Sequence, residues 1–141
     1  MTKVLRVLVA DAQGGGIGKQ LITAIRQQLP GLSITAIGAN AAATAAMMKA
    51  GADQAATGEN ALVVACRRAD VIMGPVGIAI ADAMLGEITP KMAAAVGQSE
   101  AIRILIPFNQ CQTMIAGASG QSGRALIQDA VAMLAALAGQ S

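Results

Sequence analysis

The stretch "VLVADAQGGGIGKQLITAI", residues 7 to 25, decides how this chain folds. An aliphatic run ends at Asp11 and meets glycine at positions 14, 15, 16 and 18. Lys19 follows, and then Leu21, Ile22 and Ile25 recur at helical spacing. A buried strand, a tight turn and an amphipathic helix in that order form the opening of a βαβ unit. The first amides of such a helix lack partners and its dipole is positive there, so an anion is stabilised against them. Glycines leave that backbone uncovered and permit the left-handed angles that aim amides inward. One glycine would be explained by packing alone; four are better explained by a ligand. Asp11 complicates this. Its carboxylate can repel a phosphate, accept the helix amides itself, or hold a ribose hydroxyl or a metal, and the sequence leaves these open.

Outward from this unit the same alternation continues. Residues 3 to 10 read as a buried strand, and Pro30-Gly31 stops the first helix after Leu29. "LSITAIG" is a second strand, and "AAATAAMMKAG" an alanine-rich helix closed by Gly51. "DQAAT" is a weak third strand. Residues 58–68 read as helix or strand, with helix preferred because a parallel crossover needs room. "DVIMG" is a fourth strand and "PVGIAIADAML" a helix. A further helix starts with Thr89 as cap and Pro90 at its first position. "AIRILIP" is a strong strand and "TMIAG" a possible sixth. Ile127, Val131, Leu134 and Leu137 line a closing helix. The expected fold is a single Rossmann-like domain over residues 1–141, a three-layer α/β sandwich. Its doubly wound, mostly parallel sheet has five to six strands; with the order 3-2-1-4-5, the first and fourth would be neighbours where the winding reverses.

Two nucleotide fingerprints compete for the glycine loop. The phosphate loop of nucleotide hydrolases follows its lysine with Ser or Thr to hold magnesium, whereas Lys19 is followed by Gln20. The aspartate of "DVIMG" also stands at the start of its strand, not the end. An ATP- or GTP-binding loop therefore ranks as a further alternative only. "DAQGGGIGK" resembles the cofactor loop of short-chain dehydrogenases and reductases, Thr-Gly, three residues, then Gly-x-Gly. Gly16, Ile17 and Gly18 match its end; Asp11 and Ala12 stand where that family has Thr and Gly. The likeness runs to "AIGAN", residues 36 to 40, and no Tyr exists to serve that family's catalytic pair.

Over most of its length the chain resembles the DUF3842 family, short bacterial proteins grouped as a domain of unknown function. "DAQGGGIGKQLI", "AGADQAATGENALVV", "ADVIMGPVGIAIADAMLGEITPKMA" and "ILIPFNQC" carry the likeness. It implies a Rossmann-like fold and brings no catalytic residue.

Composition narrows the function classes. The 141 residues are 55% hydrophobic and 13% charged, with eight methionines and Phe108 as the one aromatic, so an aliphatic core is expected. The net charge of +2 is scattered, which argues against nucleic acid. "MGPVGIAIA" meets Asp82 too early to cross a bilayer, and the first apolar run is broken by Arg6, unlike a signal peptide. The absence of metal-type spacing around Cys66 and Cys111 points to a reducing, cytoplasmic setting. With no histidine in the chain, a Ser-His-Asp triad and a His metal cluster are excluded, and no metal is expected.

In an open α/β sheet the ligand crevice lies at the carboxyl ends of strands, where the winding reverses. "GPVG", residues 74–77, is a second turn poor in side chains there. The expected ligand site therefore joins Asp11, Gln13, Gly14, Gly15, Gly16, Ile17, Gly18 and Lys19 to Gly74, Pro75 and Gly77. Asn40 and Thr44, past the second strand, are placed to hold ribose or phosphate, though a turn or cap suits Asn40 better. Asn109 and Cys111 follow the strong strand on the same side, with Cys111 the weaker candidate, as a nucleophile. Thr57, Glu59 and Asn60 suit capping better than the crevice. Asp82, with Glu87 close behind, fits a solvated helix face better than a buried acid. Cys66 and the methionines at 47, 48, 84, 92 and 133 read as packing or interface residues. The expected cofactor is NAD(P) or another nucleotide. The expected partners are a small phosphorylated ligand and a second copy in a homodimer, with neither nucleic acid nor membrane. A non-catalytic homo-oligomeric regulatory or interaction domain is the main alternative.

Overall fold

The computed structural model describes residues 4–108 and 112–139. Strand β1 (Arg6–Asp11) is buried at every position after Arg6, which explains why its sequence shows no polar alternation. The others are β2 (Ser33–Gly38), β3 (Gln54–Thr57), β4 (Val71–Pro75) and β5 (Ile102–Ile106). All four pairings are parallel and the order is β3-β2-β1-β4-β5, so β1 and β4 are neighbours. Val7 sits between Ile34 and Val71, so the centre of the sheet is a row of aliphatic pairs.

One face carries α1 (Gly16–Gln28), α2 (Ala41–Ala50) and α5 (Gly123–Gly139), packed over Val7, Val9, Ile34 and Met73. The opposite face carries α3 (Glu59–Arg68) and α4 (Pro90–Gln98), over Leu8, Ala10 and Ile72. Residues 58–68 are thus helical, with Leu62 and Cys66 one turn apart and both buried. The chain changes faces after β3, which puts the reversal between β1 and β4.

Two expectations need correction. "TMIAG", residues 113–117, is irregular as far as 115 and ends in a turn at 116–117, so the sheet has five strands. "PVGIAIADAML" is not a helix: a short 3-10 turn at Val76–Ala79 gives way to turns. Its apolar residues mislead because Ile78, Ala83, Met84 and Ile88 are all buried, a spacing that no single helix face offers. The backbone instead adopts left-handed angles at Asp82, Met84, Leu85 and Gly86. Asp82 is exposed on this turn. No helix among the described residues is long and apolar enough to cross a membrane.

Candidate functional site

The loops leaving β1, β2, β3 and β4 gather at the carboxyl edge of the sheet. The centre of this edge is Asp11, whose side chain is 4% exposed. One carboxylate oxygen accepts the N–H of Ala12 at 2.8 Å and the other that of Gly18 at 2.8 Å. The Ile17 N–H also bonds to this carboxylate. Gly15, the residue capping α1, offers no side chain, so Asp11 caps the helix from the preceding strand. Burial pushes the carboxyl above its ordinary range; the bonds from Gly18, Ala12 and Ile17 pull the other way, and the nearby Glu87 charge adds to the rise. Of the roles open to Asp11, the structure shows it accepting helix amides. The innermost anion positions are therefore filled from within the chain.

The glycines divide into two kinds. Gly15 has φ +72°, and a Cβ there would stand 2.9 Å from the Cα of Ala43. A Cβ on Gly18 would meet the sulfur of Met47 and lie 3.2 Å from the Asp11 Cβ, and one on Gly74 would press on the Ala10 carbonyl. Packing requires these three. Gly14 and Gly16 differ: among the described residues nothing lies within 4 Å of a Cβ at either position, and neither has a left-handed φ. Both are exposed, and among the described residues their N–H groups have no protein acceptor.

Asn40 caps α2, its side-chain oxygen accepting the Ala43 N–H at 2.9 Å. That fixes its amide nitrogen toward the crevice, donating to the Gln13 carbonyl at 2.9 Å and to Glu87 at 2.6 Å. The Glu87 carboxylate also accepts the Gln13 N–H, at 3.1 and 3.2 Å from its two oxygens. The sequence reading did not place Glu87 here. Gly86, which interrupts the supposed helix just before it, was the available signal. Thr44 joins Thr57 through their hydroxyls at 2.7 Å, and Thr89 donates to Glu59 at 2.5 Å, so neighbouring loops are tied together.

Lys19 is exposed in the first turn of α1; Pro75 ends β4 and is buried, as is Gly77 beyond it. Asn109 and Cys111 lie outside the described residues. Cys66 is on the buried face of α3 and its thiol is pushed up to about 11 by burial, consistent with packing. Met47, Met84 and Met92 are in the core, whereas Met48 and Met133 are half exposed. An open groove of about 740 Å³ lies beside Arg6, Asp70 and Ala101 at the amino ends of β1, β4 and β5, and one of about 450 Å³ runs between α3 and the face of β2 and β3, from Ser33 to Ile37. Among the described residues no group of three or more acids or cysteines could hold a metal.

A family model described as a domain of unknown function (DUF3842) matches residues 6–139. No curated protein matches in sequence. Among solved structures, the dodecameric FMN-dependent UbiX-like decarboxylase from Escherichia coli O157:H7 is similar, with a TM-score of 0.46 and 11% identity over 96% of this chain and 94% of that one. A likeness of that degree carries no argument about ligand, chemistry or assembly.

Proposed function

The chain belongs to the DUF3842 family, and from its carboxyl-edge loops we propose that it binds a small phosphorylated ligand of nucleotide type. The ligand's phosphate oxygens rest on the amides of Gly14 and Gly16. The observation that carries this reading is the pair itself: two exposed glycines that neighbouring side chains do not require, with amides that lack acceptors among the described residues. Lys19, one turn into α1, supplies a nearby cation. Because Asp11 holds the Ile17 and Gly18 amides, the ligand meets the rim of the loop rather than the helix end.

The residues support a phosphate more than a particular cofactor. NAD needs an acid at the end of the second strand and NADP an arginine. At that place stand Gly38, Ala39 and Asn40, and the oxygen of Asn40 is already used in capping α2. Asp11 also occupies the helix amides that an ATP or GTP phosphate loop would give to its ligand, which weighs against that alternative.

A thermal-shift panel of NAD(H), NADP(H), ATP and FMN at millimolar concentration tests the reading. Ligand at a hundredfold above Kd contributes about 2.7 kcal/mol, roughly 5–10 °C for a domain of this size. The stabilisation should vanish in Gly16→Val. No response to any member would contradict the proposal.

A second reading, a non-catalytic homo-oligomeric domain, is favoured by the crevice side chains partnering one another and by Leu85 and Met114 standing 96% and 87% exposed. Light scattering tests it. A monomer with a ligand response rules this reading out, and an oligomer indifferent to every ligand supports it.

A further inference from the structure

The crevice at the carboxyl edge, where this fold places ligands, is occupied by a carboxylate of the chain itself. We infer that Glu87 is an internal stand-in for the ligand's anionic group, displaced from the Gln13 amide and the Asn40 side chain when ligand binds. The inference rests on the binding reading above and adds to it a regulated entrance and a preference among phosphates.

Three observations lead there. First, the seat is built to donate. Asn40 has its oxygen committed to the Ala43 N–H, so it can present only its amide nitrogen, and the Gln13 N–H stands beside it. Gln13 holds a left-handed φ of 52°, unusual for a residue with a side chain. Two fixed donors side by side select an oxygen anion.

Second, Glu87 reaches the seat from a segment distant in sequence, over a turn with left-handed backbone at Asp82, Met84 and Leu85. The flanks are firm: Met84 and Ile88 are buried, the Asp82 N–H bonds to the Ile88 carbonyl at 2.7 Å, and Thr89 is tied to Glu59. Between them Leu85 projects almost wholly into solvent. Release therefore needs movement only of Leu85 to Glu87, not a domain opening.

Third, the plug is held against a like charge. Asp11 accepts the Ala12 N–H and Glu87 the next amide, that of Gln13, so the two carboxylates are neighbours that repel, and Asp11 remains after Glu87 leaves. A group entering the seat does best with a single negative charge. Pyrophosphate diesters carry one on each phosphate, whereas a terminal monoester carries nearly two at neutral pH, so the seat favours diester-type ligands.

Calorimetric titration of NAD⁺ and AMP into the wild-type chain and Glu87→Gln tests the inference, with circular dichroism to show that the variant is folded. The wild type should bind NAD⁺ more tightly than AMP. Loss of the competing charge should tighten NAD⁺ binding about tenfold in Glu87→Gln. Hydrogen exchange on the wild type gives a readout that needs no variant: saturation with NAD⁺ should speed exchange at Leu85 to Glu87. Equal affinity in the two proteins, or unchanged exchange at these residues in a wild type that binds NAD⁺, overturns the plug and leaves the binding reading standing. Binding of neither probe by either protein overturns the plug and its diester preference, and the binding reading falls with them when ATP and FMN also give no response.

Discussion

Replacing Asp11 with alanine should destabilise the fold and, at the same time, open a phosphate site that the wild type lacks. In the native chain this carboxylate accepts the N–H groups of Ala12 and Gly18 at 2.8 Å, and that of Ile17. Each buried donor left without a partner costs about 1–3 kcal/mol, while removal of a desolvated carboxyl returns part of this. A net loss of about 2–3 kcal/mol is expected, or roughly 5–10 °C in Tm. Asp11→Asn keeps one acceptor oxygen and should lose about half as much. The pH dependence has a definite sign. The folded pKa lies above the ordinary aspartate value of 3.8, so the native state holds this proton longer than the unfolded state. As pH rises from 3.8 through the folded pKa, the wild type therefore loses stability that Asp11→Asn does not. Urea unfolding across pH 3–8, with and without inorganic phosphate, is the assay. Phosphate should stabilise Asp11→Ala more than the wild type, because the freed amides at the start of α1 accept it. A Tm for Asp11→Ala equal to or above wild type would refute the capping role, and an equal phosphate response would refute the claim that this carboxylate fills the anion position.

Gly16→Ala adds a methyl group into open space and should leave stability within about 0.5 kcal/mol of wild type while weakening ligand binding; Gly18→Ala drives a Cβ toward Met47 and Asp11 and should cost about 1–3 kcal/mol. Thermal melts with and without ligand separate the two, and a large stability loss in Gly16→Ala would show that packing demands that glycine after all. Asp53, exposed but bonded to the Ile34 N–H and to Arg26, each at 2.7 Å, has its carboxyl held below the ordinary aspartate value of 3.8 first by the Ile34 bond and then by Arg26. Its contribution is complete above pH 3.8 and lost as pH falls through the folded pKa, so the urea midpoint gap between wild type and Asp53→Asn should close in acid. Cys66, with its thiol raised to about 11 and its side chain buried, should resist iodoacetamide at pH 8 until urea unfolds the chain, as peptide mapping would show.

Sheet order and helix placement were legible because the strands here announce themselves. β1 and β5 are short apolar runs bounded by turns, and the helices start and stop at Thr89-Pro90, Pro30-Gly31 and Gly51. The segment from Val76 to Ile88 was not legible. Its apolar density mimics a helix, whereas its left-handed turn at Asp82 to Gly86 is set by the burial of Met84 and Ile88 and by the reach of Glu87. The candidate site was half legible. Four glycines pointed to the loop, but only the three-dimensional surroundings separate Gly15 and Gly18, where a Cβ would meet Ala43 and Met47, from Gly14 and Gly16, where a Cβ would meet nothing within 4 Å among the described residues. The alternatives for Asp11 were all open in the sequence, and choosing among them needed the distance to Gly18. Contacts between Glu87 and Gln13 join residues too far apart in sequence for any local pattern to foretell.

The most direct measurement is an amide NMR titration of the uniformly ¹⁵N-labelled chain with NAD⁺. The rim amides of Gln13, Gly14 and Gly16 should shift together on binding, with Gly18 staying where the Asp11 carboxylate holds it. A bound state in which Gly14 and Gly16 do not move, or in which Gly18 moves most, would contradict the placement of the phosphate on the outer edge of this loop.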